Sequence, residues 1–276
     1  SAEPTEAAPP PRSAAGSASG LRAAAAVAAL IIGGGLGYAL RGWLQPVSDS
    51  AGDVPSASAS TPAVETSGPA ETAAPAGAAR PTVIPPNAVA DLSGIKANAA
   101  PASAPLLVVY QDYQCPWCAY FDSVFSPTVR QAIAQNNVRV EYHTMNFLDQ
   151  RNDPASATAE SSTRAAMGAV CADFAGVYDA YHDLVYANQP DTEGDGFTDE
   201  LLRDQLPAQA GLSGNALTSF QQCYDSGSAR DFVVYTNAMA QQAGVKGTPT
   251  YMLDGVQLNL DPNDPSSLQA ALDAVI

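Results

Sequence analysis

Lysine is almost absent from this chain, since only Lys96 and Lys246 occur among its 276 residues. Lysine and arginine together number 12 against 28 aspartates and glutamates, which gives a formal net charge of −16. Clustered basic side chains are what nucleic-acid phosphates and anionic membrane surfaces attract. Their shortage argues against a nucleic-acid-binding protein and against a polybasic membrane patch. It indicates an acidic, self-repelling surface.

Cysteine is also scarce, with four residues at positions 115, 118, 171 and 223. An even number is compatible with two disulfides in an oxidising compartment. A structural zinc site normally needs a second closely spaced pair of ligands beside a Cys-x-x-Cys pair. Cys171 and Cys223 lie far apart and have no close Cys or His neighbour, so we expect no metal site.

One uncharged apolar run occurs near the start of the chain, at residues 23–40 between Arg22 and Arg41. Together with the next residues it approaches the ~20 residues that cross a bilayer. A cleaved signal peptide is the competing interpretation, but no small-x-small cleavage site follows the run closely. We therefore expect a transmembrane signal anchor over residues 23–44, preceded by a disordered segment at residues 1–22.

Residues 45–80 are rich in Ala, Ser, Thr, Pro and Gly and cannot bury enough apolar surface to fold alone. We expect a low-complexity linker there and a folded domain over residues 81–276, with a first strand near residues 82–89. Because disulfides persist outside the cytoplasm, the domain is expected on the extracytoplasmic side of the membrane.

The pattern within the domain predicts a mixed α/β architecture. An apolar run at residues 106–112 predicts a buried strand that leads directly to Cys115. Apolar residues then recur every three to four positions, which predicts a helix from Pro116 that Pro127 should kink. The alternation at residues 138–145 predicts a second strand.

The remainder of the domain predicts a helical insertion and a closing hairpin. Residues from about 157 to 243 show helical patterns, with breaks near 189–196, 206–213 and 225–228. Two short strands, 248–253 and 257–260, should form a hairpin that turns at Asp254-Gly255. A final amphipathic helix is expected over residues 267–275.

The sequence Cys115-Pro116-Trp117-Cys118 carries redox chemistry when it opens a helix. Pro116 suits the first helical position, and Cys115 would lie where the helix dipole stabilises an anion. Its thiol pKa should therefore be lowered, which makes it the reactive thiolate. Cys118, one turn along, would resolve the mixed disulfide. A zinc ligand pair or a purely structural disulfide are the alternatives.

A second motif, Thr248-Pro249, joins the end of the helical region to a predicted strand. An X-Pro bond at such a junction suggests a cis peptide. The proline also removes a backbone donor, which leaves a strand edge beside the cysteine pair where an incoming peptide could bind.

The combination of DYQCPWC and GVKGTPTYMLDG resembles the DsbA-like thiol–disulfide oxidoreductases, and the resemblance covers residues 81–276. It implies a thioredoxin fold with an inserted helical subdomain. It also implies that Cys115 is the nucleophile, Cys118 the resolving cysteine, Pro249 the cis-proline and Thr248 a neighbour of the sulfurs.

The chain departs from this family at one position. Many relatives carry a buried acid six residues before the first cysteine, where this chain has Val109. Asp112 is closer to the cysteine pair in sequence than position 109, and it is expected to be more exposed than the buried acid of those relatives. The acceptor of the Cys118 proton is therefore left open.

Cys171 and Cys223 both fall in predicted helices of the insertion. They could form a second redox pair or a structural disulfide. The resemblance favours the structural disulfide, since a similar extra bridge occurs in some Gram-positive and high-GC relatives. Closing a loop of this length would stabilise the fold by roughly 4 kcal/mol in the chain-entropy treatment.

These features together predict a dithiol oxidase that transfers the Cys115–Cys118 disulfide to reduced exported proteins. The resemblance implies reoxidation by a membrane partner, either DsbB-like or vitamin K epoxide reductase-like, with no bound cofactor. The alternatives are a disulfide reductase or isomerase, and a membrane-anchored binding module with an inert disulfide.

Overall fold

The structure is a computed structural model that describes residues 75, 77–190 and 192–276. The predicted segment 1–22, the predicted anchor 23–44 and most of the predicted linker 45–80 lie outside the described residues. Among the helices that the structure does describe, none combines the length and the apolar character needed to cross a bilayer.

A mixed sheet forms the centre of the fold. Its strands are β1 (Ile95–Lys96), β2 (Leu106–Gln111), β3 (Arg139–Thr144), β4 (Thr250–Leu253) and β5 (Val256–Gln257). Their spatial order is β1–β3–β2–β4–β5, with β2 and β3 parallel and the other neighbours antiparallel. The central strand β2 is buried from its second residue onward. Burial on both faces explains why its sequence is a continuous apolar run rather than an alternating one.

Helices cover the sheet and fill the connection between β3 and β4. Helix α1 (Pro116–Gln135) links β2 to β3. The insertion holds α2 (Ser161–Phe174), α3 (Tyr178–Ala187), α4 (Leu206–Gln209), α5 (Gly214–Ser226) and α6 (Arg230–Gln242), with a 3-10 turn at Phe147–Arg151 and a π-helical segment at Glu200–Gln205. Helix α7 (Ser266–Asp273) follows the last hairpin. The predicted thioredoxin fold with an inserted helical subdomain is confirmed.

The first strand is not where the sequence predicted it. Residues 82–89 contain no strand, and β1 lies after them at Ile95–Lys96; Ala88 alone makes an isolated bridge, to Ile95. Pro85 and Pro86 explain the difference, because two adjacent residues without an N–H cannot take part in a regular ladder.

Two smaller predictions about element bounds also need correction. The predicted break at residues 206–213 is helical in its first half, where Pro207 occupies the first turn of α4. Helix α1 runs from Pro116 to Gln135 and includes Pro127, and the kink at that residue stays a prediction. The last strand is Val256–Gln257 and not residues 257–260, and it begins directly after the predicted turn. Asp254 and Gly255 of that turn both have positive φ, as a two-residue type I′ hairpin turn requires.

The insertion is cross-linked. A disulfide joins Cys171 of α2 to Cys223 of α5, with the two Cα atoms 5.8 Å apart. Gly168 of α2 allows a close approach of the Tyr181 ring from α3, where a side chain would collide with it. The Tyr181 hydroxyl then donates to the carbonyl of Leu202, 2.9 Å away. These contacts hold the inserted helices to one another.

Candidate active site

Cys115 and Cys118 are free thiols that lie at the start of α1. The buried strand β2 ends at Gln111, and the Cys115 amide donates to the carbonyl of Asp112 at 3.0 Å in the turn that follows. Cys115 caps the helix and Pro116 occupies its first position. The Cys115 sulfur therefore lies at the positive end of the helix dipole, as the sequence predicted.

The loop that contains Thr248 and Pro249 closes over the first thiol. The Thr248–Pro249 peptide bond is cis, and the Cys115 thiol donates to the Thr248 carbonyl at 3.4 Å. The Thr248 hydroxyl is buried and has no hydrogen-bond partner among the described residues. It is therefore available to donate to a thiolate, and it lowers the pKa of both cysteines.

The two thiols have opposite pKa shifts. A hydrogen bond from Cys118 lowers the pKa of Cys115 to about 6, in spite of burial, and the backbone N–H groups of Trp117 and Cys118 act in the same direction. Burial raises the pKa of Cys118 well above its usual value, and its hydrogen bond to Cys115 adds to this. Cys115 is thus a thiolate near neutral pH and Cys118 is a thiol.

Asp112 is fully buried, so the expectation that it is more exposed was wrong. Its Oδ1 accepts from the Gln114 amide at 2.9 Å and from the Ser162 hydroxyl at 2.6 Å. Its Oδ2 accepts from the Leu148 amide at 3.2 Å. Burial raises its pKa to about 7 although these bonds favour the carboxylate. Asp112 therefore ties the turn before Cys115 to the start of α2.

Gln189, just after α3, is a second link between the insertion and the site. Its Nε2 donates to the carbonyls of Tyr113 at 2.7 Å and Cys115 at 3.0 Å. Gln189 was not among the site residues predicted from the sequence. A loop glutamine far along the chain carries no local signal, because only the tertiary fold brings it to the cysteines.

A small cavity lies against Cys118, lined by Val109, Gln111, Cys118, Asp122, Val129, Tyr142, Tyr186, Pro249 and Tyr251. Asp122 is half-buried and lies on α1 four residues after Cys118. Sequence reasoning missed it, although residues four apart share one face of a helix and the spacing was a usable signal.

The outer face of the site is apolar and open. Pro116 and Trp117 are exposed, and the Trp117 ring packs edge-on against Tyr120 with centroids 5.9 Å apart. Together with Pro262 and Asn263 they line a depression beside the cysteine pair. On the other flank, residues 243–250 line an open groove with Met252 and Gln257.

The structure thus brings four of the predicted site residues together: Cys115, Cys118, Thr248 and Pro249. Pro116 and Trp117 lie between the two cysteines in sequence and are exposed to solvent. Cys171 and Cys223 are bonded to each other in the insertion and cannot complete a four-cysteine metal site with the first pair. Chemically, the site can form, hold and release a disulfide.

Comparisons with known proteins bear on the family and the fold of this chain. A family model described as thioredoxin matches residues 99–274. A Rickettsia bellii protein assigned as a protein-disulfide oxidoreductase is 24% identical over 172 residues, 62% of this chain and 60% of that protein. The serine/threonine-protein kinase PknE of Mycobacterium tuberculosis is 27% identical over 169 residues, 58% of this chain and 28% of the kinase. The chain therefore spans less than two thirds of the length of either relative.

Among solved structures, reduced DsbA from Mycobacterium tuberculosis superimposes with a TM-score of 0.54. It is 20% identical, and the match covers 66% of this chain and 92% of DsbA. At this level of identity the likeness establishes the shared fold.

Proposed function

The chain belongs to the thioredoxin family, and from this premise we propose that it is an extracytoplasmic thiol–disulfide oxidoreductase whose redox centre is Cys115 and Cys118. The observation that carries the proposal is the placement of the two thiols: Cys115 caps α1 beside the cis Thr248–Pro249 bond, and Cys118 lies buried in the first turn of the same helix. A nucleophilic cysteine with a lowered pKa beside a buried, protonated one is what disulfide exchange through a mixed disulfide requires.

The favoured direction is oxidation of other proteins. Interactions that stabilise the Cys115 thiolate favour the reduced pair over its disulfide, which makes the disulfide a strong oxidant. A substrate thiolate attacks the Cys115 sulfur, the Cys115–Cys118 bond breaks, and a mixed disulfide forms. A second substrate thiolate then attacks that mixed disulfide and releases Cys115 as a thiolate. The substrate loses two electrons and gains a disulfide, and the pair is left as a dithiol.

The substrates in this proposal are reduced, exported proteins that are still unfolded. The exposed Trp117–Tyr120 pair offers apolar contact to such chains on one side of Cys115. The groove along residues 243–250 offers backbone and apolar surface on the other side. Reoxidation requires a disulfide or quinone-linked membrane enzyme, for which a DsbB-like or vitamin K epoxide reductase-like protein has the right chemistry.

The extracytoplasmic location, with a single N-terminal membrane span, is part of the same proposal. It is supported by the uncharged run at residues 23–40 and by the Cys171–Cys223 disulfide, which is typical of oxidising compartments.

The test is the reduction potential of the Cys115–Cys118 pair, equilibrated against glutathione. An oxidase should give a value of about −120 to −180 mV, whereas a value near −270 mV is that of a thioredoxin-like reductant and would contradict the proposed direction. The variant Cys115→Ser is the control, since it should show no redox transition. An inert structural disulfide would give a potential below about −300 mV.

A further inference from the structure

The cavity against Cys118 has polar groups in a wall that is otherwise apolar and aromatic. Its water-accessible volume is about 10 Å³, the space of roughly one water molecule. Tyr186 of α3 lines it, is 7% exposed, and has a hydroxyl without a hydrogen-bond partner among the described residues. A buried hydroxyl of this kind normally has a partner, and a water in the cavity would supply one.

Asp122 is the carboxylate that lines this cavity. It lies one helical turn after Cys118 on α1 and is half-buried, so one side borders the cavity and the other can exchange protons with solvent. None of the hydrogen bonds made by the described residues occupies its oxygens. Val109, at the position where the family resemblance leads one to expect an acid, lines the same cavity with an apolar side chain.

We infer that Asp122 exchanges the proton of Cys118, through one water held between them by the Tyr186 hydroxyl. This inference rests on the proposed dithiol chemistry, which does not say which group accepts the Cys118 proton. It names Asp122 as that acceptor. The acid reaches the cavity from the active-site helix instead of from the central strand.

When the reduced enzyme is oxidised by a disulfide, the Cys115 thiolate first forms a mixed disulfide and releases one thiolate. The Cys118 proton then passes to the Asp122 carboxylate, and the Cys118 thiolate attacks the Cys115 sulfur. The Cys115–Cys118 bond forms, the second thiolate leaves, and Asp122 releases its proton to solvent. In the opposite direction a protonated Asp122 returns the proton to Cys118 as that cysteine departs.

Asp112 is the competing acid, and its geometry does not suit this role. Three donors already occupy its two oxygens, and its side chain is not part of the wall of the cavity. Its bonds run to Gln114, Leu148 and Ser162, which hold the active-site turn against the insertion. We therefore assign a positioning role to Asp112.

The pH dependence of this step follows from the groups that face Asp122. They are His182, Asp183 and Tyr186 from α3, Arg130 and Cys118 from α1, Tyr142 from β3 and Tyr251 from β4. Burial raises the pKa of Asp122, His182 and Arg130 oppose the rise, and Asp183 adds to it. Asp122 can accept a proton only above this raised pKa, so the Cys118 step should slow as the pH falls through it.

The experiment follows the reaction of the reduced full-length chain with the aromatic disulfide 5,5′-dithiobis(2-nitrobenzoate). Each enzyme releases two thionitrobenzoate ions, the first when Cys115 attacks the reagent and the second when Cys118 attacks the mixed disulfide. In Asp122→Asn the first release should be unchanged. The second should slow on the order of tenfold to a hundredfold near neutral pH. Its rate should rise with hydroxide concentration over about pH 5 to 9, and the two proteins should converge at acid pH.

Asp183→Asn is the matched control, because it removes a carboxylate that faces Asp122 but does not line the cavity. Its second release should stay within about twofold of the wild-type rate. An unchanged second release in Asp122→Asn would overturn the inference, whereas absence of the first release in wild type would overturn the proposed function itself. If Asp122→Asn also lowers the melting temperature, Asp122→Glu decides: recovery of the second release supports the inference, and no recovery contradicts it.

Discussion

Cys115 and Cys118 are both nearly buried, at 6% and 3% exposure, yet their pKa values shift in opposite directions. Burial by itself raises the pKa of any thiol because it disfavours the charged form. For Cys115 the donors around the sulfur outweigh burial: the Cys118 thiol, the Thr248 hydroxyl and the helix N–H groups. The Cys118 thiol donates a hydrogen bond to the Cys115 sulfur and stays protonated.

This contrast predicts how the reduction potential changes with pH. Below about pH 6, reduction of the disulfide takes up two protons, so the potential should fall by about 59 mV per pH unit. Above about pH 6, Cys115 remains a thiolate, one proton is taken up, and the slope should halve to about 30 mV per pH unit. The sign is negative in both ranges because protons are consumed on reduction.

The measurement is equilibration with glutathione at several pH values on either side of pH 6, at constant ionic strength. Thr248→Val, which removes only the hydroxyl donor, is the matched variant and should move the break in slope to higher pH. A single slope of 59 mV per pH unit up to about pH 8 would show that the Cys115 pKa is not lowered.

Residues of this site differ in how far the sequence could identify them. The local pattern of a helix start identifies Cys115 and Pro116. Thr248 lies 133 residues after Cys115, so it and Pro249 were placed beside the cysteines by the family resemblance and not by a local pattern. The error at Asp112 has a physical cause: a charged residue in a turn is usually exposed, and here Ser162 and Leu148 from the insertion bury and satisfy it. Contacts across such distances in sequence are not encoded in a local pattern.

At the scale of elements, the disulfide joins α2 and α5 of the insertion, whereas the redox pair lies at the start of α1. The disulfide closes a loop of 52 residues within the insertion and lies between elements that do not carry Cys115 or Cys118. A link of this length stabilises the fold by restricting the unfolded chain, by about 4 kcal/mol in the entropic treatment.

The paired substitution Cys171→Ser and Cys223→Ser should therefore lower the melting temperature of the chain by roughly 8 to 16 °C for a domain of this size. The release of thionitrobenzoate by Cys115 at a temperature well below melting should be within about twofold of wild type. Calorimetry measures the melting temperature, and reaction with 5,5′-dithiobis(2-nitrobenzoate) measures thiol exchange on the same preparation. Loss of thiol exchange with an unchanged melting temperature would identify Cys171–Cys223 as a second redox pair.

The elements that the sequence located correctly are those with a strong period or a specific turn. The buried run of β2, the start of α1 at Pro116 and the Asp254-Gly255 turn are examples. The errors fall at short edge elements, such as β1 and β5, whose two residues each are too few to show a period. Their positions depend on pairing with β3 and β4, which is a tertiary property.

At the scale of the whole molecule, the chain combines an acidic folded domain with an N-terminal region of different composition. An acidic domain has no electrostatic attraction to anionic lipid. Attachment to a membrane would therefore rest on the uncharged run at residues 23–40, and the linker predicted at residues 45–80 would let the site reach substrates of different shapes.

This organisation predicts the behaviour of the chain in bacterial cells. The full-length chain should sediment with membranes and stay there after a high-salt wash, because apolar burial is insensitive to ionic screening. A membrane-impermeant maleimide added to intact cells should label Cys115 in a Cys118→Ser background. A matched variant without residues 23–44 should be found in the soluble fraction and become labelled only after lysis.

Recovery of a shortened chain in the soluble extracytoplasmic fraction would mean that the apolar run is a cleaved signal peptide. Labelling of the full-length chain only after lysis would place the thiols in the cytoplasm, where glutathione and thioredoxin keep cysteines reduced, and an oxidase role would then have no compartment to act in.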